Sequence, residues 1–349
     1  MTRQTWTAAV AALVFVALAA IIAMVPVPFV VWTPGATYDL LGEVADQPAI
    51  SITGADTYPT DGQLRMATVS VTRSDAALTL PEALFSYWLP NRQVLPREAV
   101  YRPGLDTAQI QDDSARQMGS SQSLAAVAAL RAAGVRVVER PMVESVHKTG
   151  PSAGLLEPGD LITAVDNART STVEQVREAI RKHKIGDVVK FDLIRGDVPL
   201  AQSVTTKPSE QEPDVPVVGI TMSIGFTYAP EITFGIDAGI GGSSAGLMFA
   251  LAIYDQLTPG SLSNGAVVAG TGTIDTTGRV SAIGGVQEKI AAAARDGATV
   301  FLLPTGNCAD VGEVPDGMRL LPVENLGDAL SGLQDLQDPA RAEALRGCS

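Results

Sequence analysis

The chain has 349 residues, so at ~150 residues per domain it should hold two folded units plus smaller additions. Hydrophobic residues at 46% and charged residues at 18% are enough for real cores, which excludes a fibrous or fully disordered chain. A net charge of −13 repels phosphate backbones and no basic run of useful length offsets it, so nucleic acid is excluded as a partner.

From Ala8 to Val25 run 18 uninterrupted apolar residues, enough to cross ~30 Å of hydrocarbon as a helix. Arg3 precedes the run, and Asp39, Glu43 and Asp46 follow it. The positive-inside rule therefore puts the N-terminus in the cytoplasm and the bulk of the chain outside, on a single span. A cleavable signal peptide is the other reading, with Ala17-Leu18-Ala19 as its cut site, although such an h-region should be only ~7–15 residues long.

The alternation in Met66–Val71 predicts a strand, and the helical spacing of Leu124, Val127, Ala128, Leu130 and Arg131 predicts a helix that Gly134 stops. Val135–Val138 reads as a strand, and Gly150–Leu155 as the opening of a short helix. Leu161–Val165 reads as a strand turning at Asp166-Asn167, Thr172–Lys182 as an amphipathic helix and Val188–Arg195 as a closing strand. This order, with the residues S-A-G-L-x-x-G-D-x-I-x-x-V-D-N beginning at Ser152, resembles a PDZ domain of bacterial envelope proteases. The resemblance implies that a peptide C-terminus adds as a strand to the domain's sheet. The usual glycine-and-hydrophobe carboxylate loop is not evident. Pro, Ser, Gln and acidic residues over 205–216 then predict a linker.

Ile232–Ile236 alternates as a strand. Gly239-Ile240-Gly241-Gly242-Ser243-Ser244-Ala245-Gly246 then leads into an apolar helix from Leu247 to Tyr254. Free N–H groups at that helix start can stabilise an oxyanion, and equally Ser243 or Ser244 can serve as an N-cap. Further on, Val286, Lys289, Ile290 and Ala293 share one helical face, which sets a lysine in an apolar stripe. A buried lysine brought down toward ~7–8 can act as a general base, whereas a snorkelling one packs its stem and keeps its charge in water. No histidine follows His183, so a serine–lysine dyad is the simpler nucleophile and base. His147, His183, Cys308 and Cys348 are all the soft metal ligands and match no zinc spacing; G-x-x-x-x-G-K-[ST] is absent as well. Hence no metal, no other cofactor and no ATPase is expected. Outside the cytoplasm Cys308 and Cys348 can pair and pin the C-terminal tail to the body; two unrelated thiols are the other reading.

Gly242-Ser243-Ser244-Ala245-Gly246, Thr271-Gly272, Gly278-x-Val280-x-x-Ile283-Gly284-Gly285-x-x-x-Lys289, Leu303-Pro304 and Asn307 resemble, in order and spacing, the Lon proteolytic domain over about residues 217–325. With the anchor and the PDZ-like segment, the layout is similar to bacterial membrane-anchored, PDZ-containing Lon-like serine proteases that lack an ATPase. The resemblance implies Ser244 as nucleophile and Lys289 as base. It implies Gly242, Ser243 and Thr271 as site-lining or oxyanion residues, with the Ser244 N–H as a further donor. Two departures stand out: Ser243 where the family usually has proline, and Gly241 where ATP-dependent members carry an acidic residue, with Asp237 nearby.

The fold class implied is α+β: a transmembrane helix, then a Lon-type proteolytic domain with a PDZ-like domain inserted in it or preceding it. The expected divisions are a cytoplasmic tip and anchor (1–32), an extracytoplasmic segment packing on the protease body (33–134), the PDZ-like domain (135–207) and the proteolytic domain (208–349). The function implied is an ATP-independent serine endopeptidase acting on extracytoplasmic proteins or peptides, some recruited by the PDZ-like domain. Expected partners are these substrates, the membrane and, since the family resemblance suggests a ring, further copies of the chain. The alternatives are an inactive membrane-anchored PDZ adaptor and an esterase or amidase using the same dyad.

Overall fold

The structure, a computed structural model, describes residues 3–196, 198–236 and 239–348. Its contacts separate two compact units, one made of residues 1–134 and 230–349 and the other of residues 135–229.

The first unit begins with the helix Arg3–Met24. It is long and apolar enough to cross a membrane, and none of its residues is buried. Beyond it lies a mixed sheet of six strands. Arg319–Val323, Val300–Pro304, Val267–Gly270 and Gln63–Val71 run parallel to one another, followed by Phe29–Asp39 and Gln93–Pro96 in antiparallel pairing. Alternation along these strands feeds two cores. Leu64, Val268 and Leu302 face the helices Thr107–Ala132, Gly246–Leu257 and Leu326–Leu336, while Ala269, Phe301 and Leu303 face Val286–Arg295. The α+β expectation holds, with helices on both faces of the sheet. The helix Gly246–Leu257 is apolar all round because it is buried all round, and Leu247 to Ile253 are inaccessible to solvent.

Cys308 and Cys348 are joined as a disulfide across a sequence separation of 40 residues, tying the C-terminal tail to this unit. Closing a loop of that length constrains the unfolded chain by about 3–4 kcal/mol. Reduction is therefore expected to lower the denaturation midpoint of the first unit and to open residues 339–348 to proteolysis. An unchanged midpoint in a thiol-verified sample would show that the tail carries no such load.

The second unit is an antiparallel sheet in the order Val198–Thr205, Val188–Arg195, Leu161–Val165, Val138–Val146, Ile220–Thr227. The helix Val173–Arg181 packs against it over a core of Val143, Ile162, Val176, Phe191 and Leu193. Four sequence expectations change here. The first strand starts at Val138 rather than Val135, where pairing with Thr227 begins. Gly150–Leu155 forms consecutive turns closed by the Ala153 and Leu155 N–H groups, and Gly154 at φ 76° prevents a helix. Val188–Arg195 does not close the sheet, since Val198–Thr205 pairs along its whole length. The unit also ends at 229 rather than 207, because Ile220–Thr227 is paired with Val138–Val146; the expected linker holds a two-residue pairing of Lys207–Pro208 with Pro216–Val217.

The Gly159-Asp160 of the PDZ-like signature is structural. Asp160 is fully buried, and its two oxygens accept from Arg195 Nε and Nη2, each at 2.7 Å, while Arg195 Nη2 also donates to the Leu155 carbonyl. One side chain thus fastens the 150–160 turns to the end of the strand Val188–Arg195.

Candidate active site

Gly246–Leu257 and Val286–Arg295 bring the two chemistry-bearing segments together. Lys289 Nζ lies 2.9 Å from Ser244 Oγ and 3.0 Å from Thr271 Oγ1, and Thr271 Oγ1 donates to the Ser244 carbonyl at 2.9 Å. Lys289 is 2% exposed, which removes the snorkelling alternative. Burial pushes its ammonium down to about 7, outweighing the opposing pull of the neighbouring Glu288 carboxylate. Glu288 is itself buried, and desolvation raises its carboxyl. No side chain caps Gly246–Leu257, whose N-cap is Ala245, so neither serine serves as the cap. The Ser244 hydroxyl is turned to the lysine instead.

The backbone around Ser244 is held on both sides. The Gly272 N–H donates to the Ser244 carbonyl at 2.8 Å and the Gly272 carbonyl accepts from Leu247 N–H at 3.0 Å, so Thr271-Gly272 clamps the Ser244 loop. A Cβ on Gly272 would meet Val280 and Leu247, which explains the glycine. On the other side the Gly242 N–H donates to the Ser114 carbonyl at 3.1 Å, and the buried Ser121 hydroxyl donates to the Ser243 carbonyl at 3.0 Å. The Gly242 N–H is thus engaged by the helix Thr107–Ala132. Among the described residues nothing accepts from the Ser244 N–H. Gly241 packs so closely on Ser114 that an added Cβ would lie 2.5 Å from its Cβ, so an acidic side chain has no room there. Asp237 lies outside the described residues.

The lysine helix is positioned by its entry turn. Gly285 adopts φ 71° at the N-cap, where a Cβ would strike Val69, and a Cβ at Gly284 would strike the Trp32 ring from the strand Phe29–Asp39. Buried Asn307 closes the turn, with its Oδ1 accepting from Ile283 N–H and its Nδ2 donating to the Ile283 carbonyl. Beside the Ser243-Ser244 loop opens a cleft of about 500 Å³, lined by Arg102, Arg116, Ser243, Thr273, Ile274 and Ser281 among others. Ser243 faces this cleft, and its hydroxyl makes no bond to Lys289. Sequence reasoning did not find Ser114, Ser121 or Trp32, which act on the site from more than 100 residues away along the chain.

Residues 237–333 match the family model of the Lon protease (S16) C-terminal proteolytic domain. The chain carries a Lon-type proteolytic domain. Residues 111–206 match the PDZ domain model, whose first part falls on the helix Thr107–Ala132 of the other unit. The Lon-type match covers only the second half of its unit, since the strands Phe29–Asp39 and Gln63–Val71 and the helix Thr107–Ala132 precede it. The Lon protease of Rhizobium meliloti is 37% identical over 94 residues, covering 26% of this chain and 11% of that protein. The Lon protease of Clostridioides difficile is 40% identical over 93 residues, covering 26% and 12%. The archaeal Lon protease of Methanocaldococcus jannaschii is 38% identical over 104 residues, covering 30% and 16%. The chain thus spans only 11–16% of the length of these three relatives. The solved PDZ domain of the SdrC-like protein of Listeria monocytogenes is 28% identical, covering 24% of this chain and 86% of that one, with a TM-score of 0.22.

Thr271 accepts from Lys289 and donates to the Ser244 carbonyl, two contacts that the isosteric Thr271→Val removes. Losing a buried hydrogen bond of this kind costs about 1–3 kcal/mol, or roughly 5- to 150-fold in rate if it acts in the transition state. Thr271→Val is expected to lower kcat within that range and to move the acidic limb of the pH profile, which Lys289 sets, while Thr271→Ser restores both. A slowed variant with an unmoved pH profile would make Thr271 a packing residue only.

Proposed function

We propose that the chain is a serine endopeptidase that cleaves extracytoplasmic proteins or peptides by acyl-enzyme chemistry, without nucleotide hydrolysis, while held in the cytoplasmic membrane by Arg3–Met24 with its N-terminus inside. The observation that carries this reading is the 2.9 Å approach of Ser244 Oγ to a lysine that is 2% exposed and has its pKa lowered to about 7. In the neutral amine one N–H is committed to Thr271, and the lone pair faces the Ser244 hydroxyl. Lys289 takes that proton as Oγ attacks the scissile carbonyl, and the Ser244 N–H receives the developing oxyanion. The lysinium then protonates the leaving amine. Water, deprotonated by the now neutral Lys289, attacks the acyl carbonyl, and Lys289 returns that proton to Ser244 Oγ as the acyl group leaves as the acid.

The second unit supplies a recruiting surface. A groove of about 730 Å³ is lined by Ser145, Ile180, Arg181, Ile220 and Met222 among others; the helix Val173–Arg181 flanks it, and Ile220–Thr227 is the edge strand of the sheet. An extended peptide end can add to that edge.

The test is covalent labelling of the purified full chain with a serine-directed phosphonylating probe, without nucleotide. A single adduct on Ser244, absent in Ser244→Ala and in Lys289→Ala, is the expected result. A folded protein that takes no adduct at any pH would favour the adaptor reading. An adduct together with hydrolysis of small esters but not of extended peptides would favour an esterase. The sign of the pH dependence follows from the lysine. Below about pH 7 it is protonated and cannot accept a proton, so labelling and kcat/KM should rise tenfold per pH unit up to about 7 and then level off. A profile flat from pH 5 to pH 9 would remove Lys289 as the base.

A further inference from the structure

The helix Leu80–Trp88 presents its apolar residues to the outside. Ala83 and Ser86 face the body of the first unit and are buried, whereas Leu84 is 44%, Phe85 62%, Tyr87 69% and Trp88 75% exposed. At 100° per residue, Leu84, Phe85 and Trp88 share one face with Tyr87 on its flank. That inverts the pattern of a helix packed on a water-soluble body, which turns its apolar stripe inward. Single exposed hydrophobes need no explanation, but three aromatics and a leucine on one short helix form a patch that does.

The chain places this patch beside the apolar N-terminal helix. The strand Leu78–Thr79, which leads straight into Leu80–Trp88, pairs with Pro26–Val27 in the register Pro26↔Thr79 and Val27↔Leu78. Paired strands lie ~4.8 Å apart, so the start of the aromatic helix is fixed next to residue 26, just past the end of Arg3–Met24. The two helices are in contact. A spanning helix of 22 residues is ~33 Å long, which puts Met24 at the outer edge of the hydrocarbon and residues 26 and 79 among the headgroups. Tyr and Trp partition to that level, with the ring in the acyl boundary and the polar tip in water. Exposed Arg92 follows and meets anionic headgroups with the right sign.

We infer that Leu80–Trp88 is an interfacial helix that lies on the outer leaflet and, with the span, fixes the orientation of the proteolytic unit on the bilayer by two attachments rather than one. The occupant of the patch is lipid. This rests on the membrane-anchored reading, and the test separates the two. The full chain is reconstituted into phosphatidylethanolamine–phosphatidylglycerol vesicles with or without bromine near the top of the acyl chains. Tryptophan quenching is compared among the wild type, Trp6→Phe and Trp6→Phe/Trp88→Phe. Trp32 is common to all three and cancels, and retained probe labelling at Ser244 verifies folding. The expected result is bromolipid quenching in Trp6→Phe that is lost when Trp88 is also replaced. Quenching of Trp6 without quenching of Trp88 would overturn the interfacial helix and leave the anchor standing. If Trp88 is then also shielded from aqueous acrylamide, the patch is covered by a second copy of the chain instead. Quenching of neither residue would overturn the anchor as well.

Discussion

Ser244→Ala and Lys289→Ala are each expected to reduce peptide hydrolysis on the order of 10⁴-fold, and the double variant no further than the worse single one, because a nucleophile and its base act as one device. Lys289→Arg is the sharper test. It keeps a cation in the pocket, but guanidinium stays protonated above pH 12 and cannot take the serine proton, so it should be as inactive as Lys289→Ala. Appreciable activity in Lys289→Arg would reduce the lysine to an electrostatic or structural element. The same residue has a measurable effect on stability. The unfolded lysine holds its proton to about 10.5 and the buried one releases it at about 7, so between these values the unfolded state binds more protons. Wild-type stability therefore rises with pH across that interval, by roughly 5 kcal/mol in total, and is flat below it. Lys289→Met lacks this titration. It should be the more stable protein at neutral pH by a few kcal/mol while being catalytically dead, a direct measure of what the site costs the fold. Denaturant midpoints for the two proteins that run parallel from pH 6 to pH 10 would contradict the burial of the charged form.

The second large effect lies in the other unit. Asp160→Ala removes the carboxylate oxygens that accept from Arg195 Nε and Nη2, leaving Nη2 only the Leu155 carbonyl, and the acceptor of the Glu157 N–H, at a site where the carboxylate is fully buried. Breaking a buried ion pair costs 3–5 kcal/mol, and because Arg195 retains partial access to water the lower figure, about 3 kcal/mol, applies. Amide exchange on the full chain reads this unit by unit. Strand amides of 138–227 should exchange about 100-fold faster, since each 1.4 kcal/mol is tenfold, while those of 286–303 stay unchanged. Equal acceleration in both stretches would mean that the two units unfold together. No acceleration would mean that Arg195 finds other acceptors.

What the sequence discloses is set by how local each contact is. The stripe of Val286, Lys289, Ile290 and Ala293 needs only the helical period to show that a lysine is turned inward, and the structure buries it among those residues. The glycine-flanked Ser243-Ser244 pair marks the loop, but which of the two hydroxyls lies against Lys289 Nζ is a tertiary contact, made by Ser244. The grip on that loop from Ser121 and Ser114 joins residues 122 or more positions apart, which no periodicity records. Long-range pairing likewise hid the limits of the second unit, because Ile220–Thr227 belongs there only through Val138–Val146. In the 150–156 turns the local bonds are helix-like, and one left-handed glycine decides against a helix.

That same pairing of Val138 with Thr227 bears on how the chain reaches its native state. Segments entering and leaving the second unit are neighbours on paired strands, so once that unit forms, the whole stretch 135–229 subtends a gap no wider than a hairpin. The helices Thr107–Ala132 and Gly246–Leu257, which must meet to build the site, are then separated by a short effective loop rather than by the full contour. Loop-closure entropy grows with the length of chain left free, so an early-folding insert shortens the search for the host. The order of events is thereby biased toward the middle of the sequence first and its two flanks afterwards.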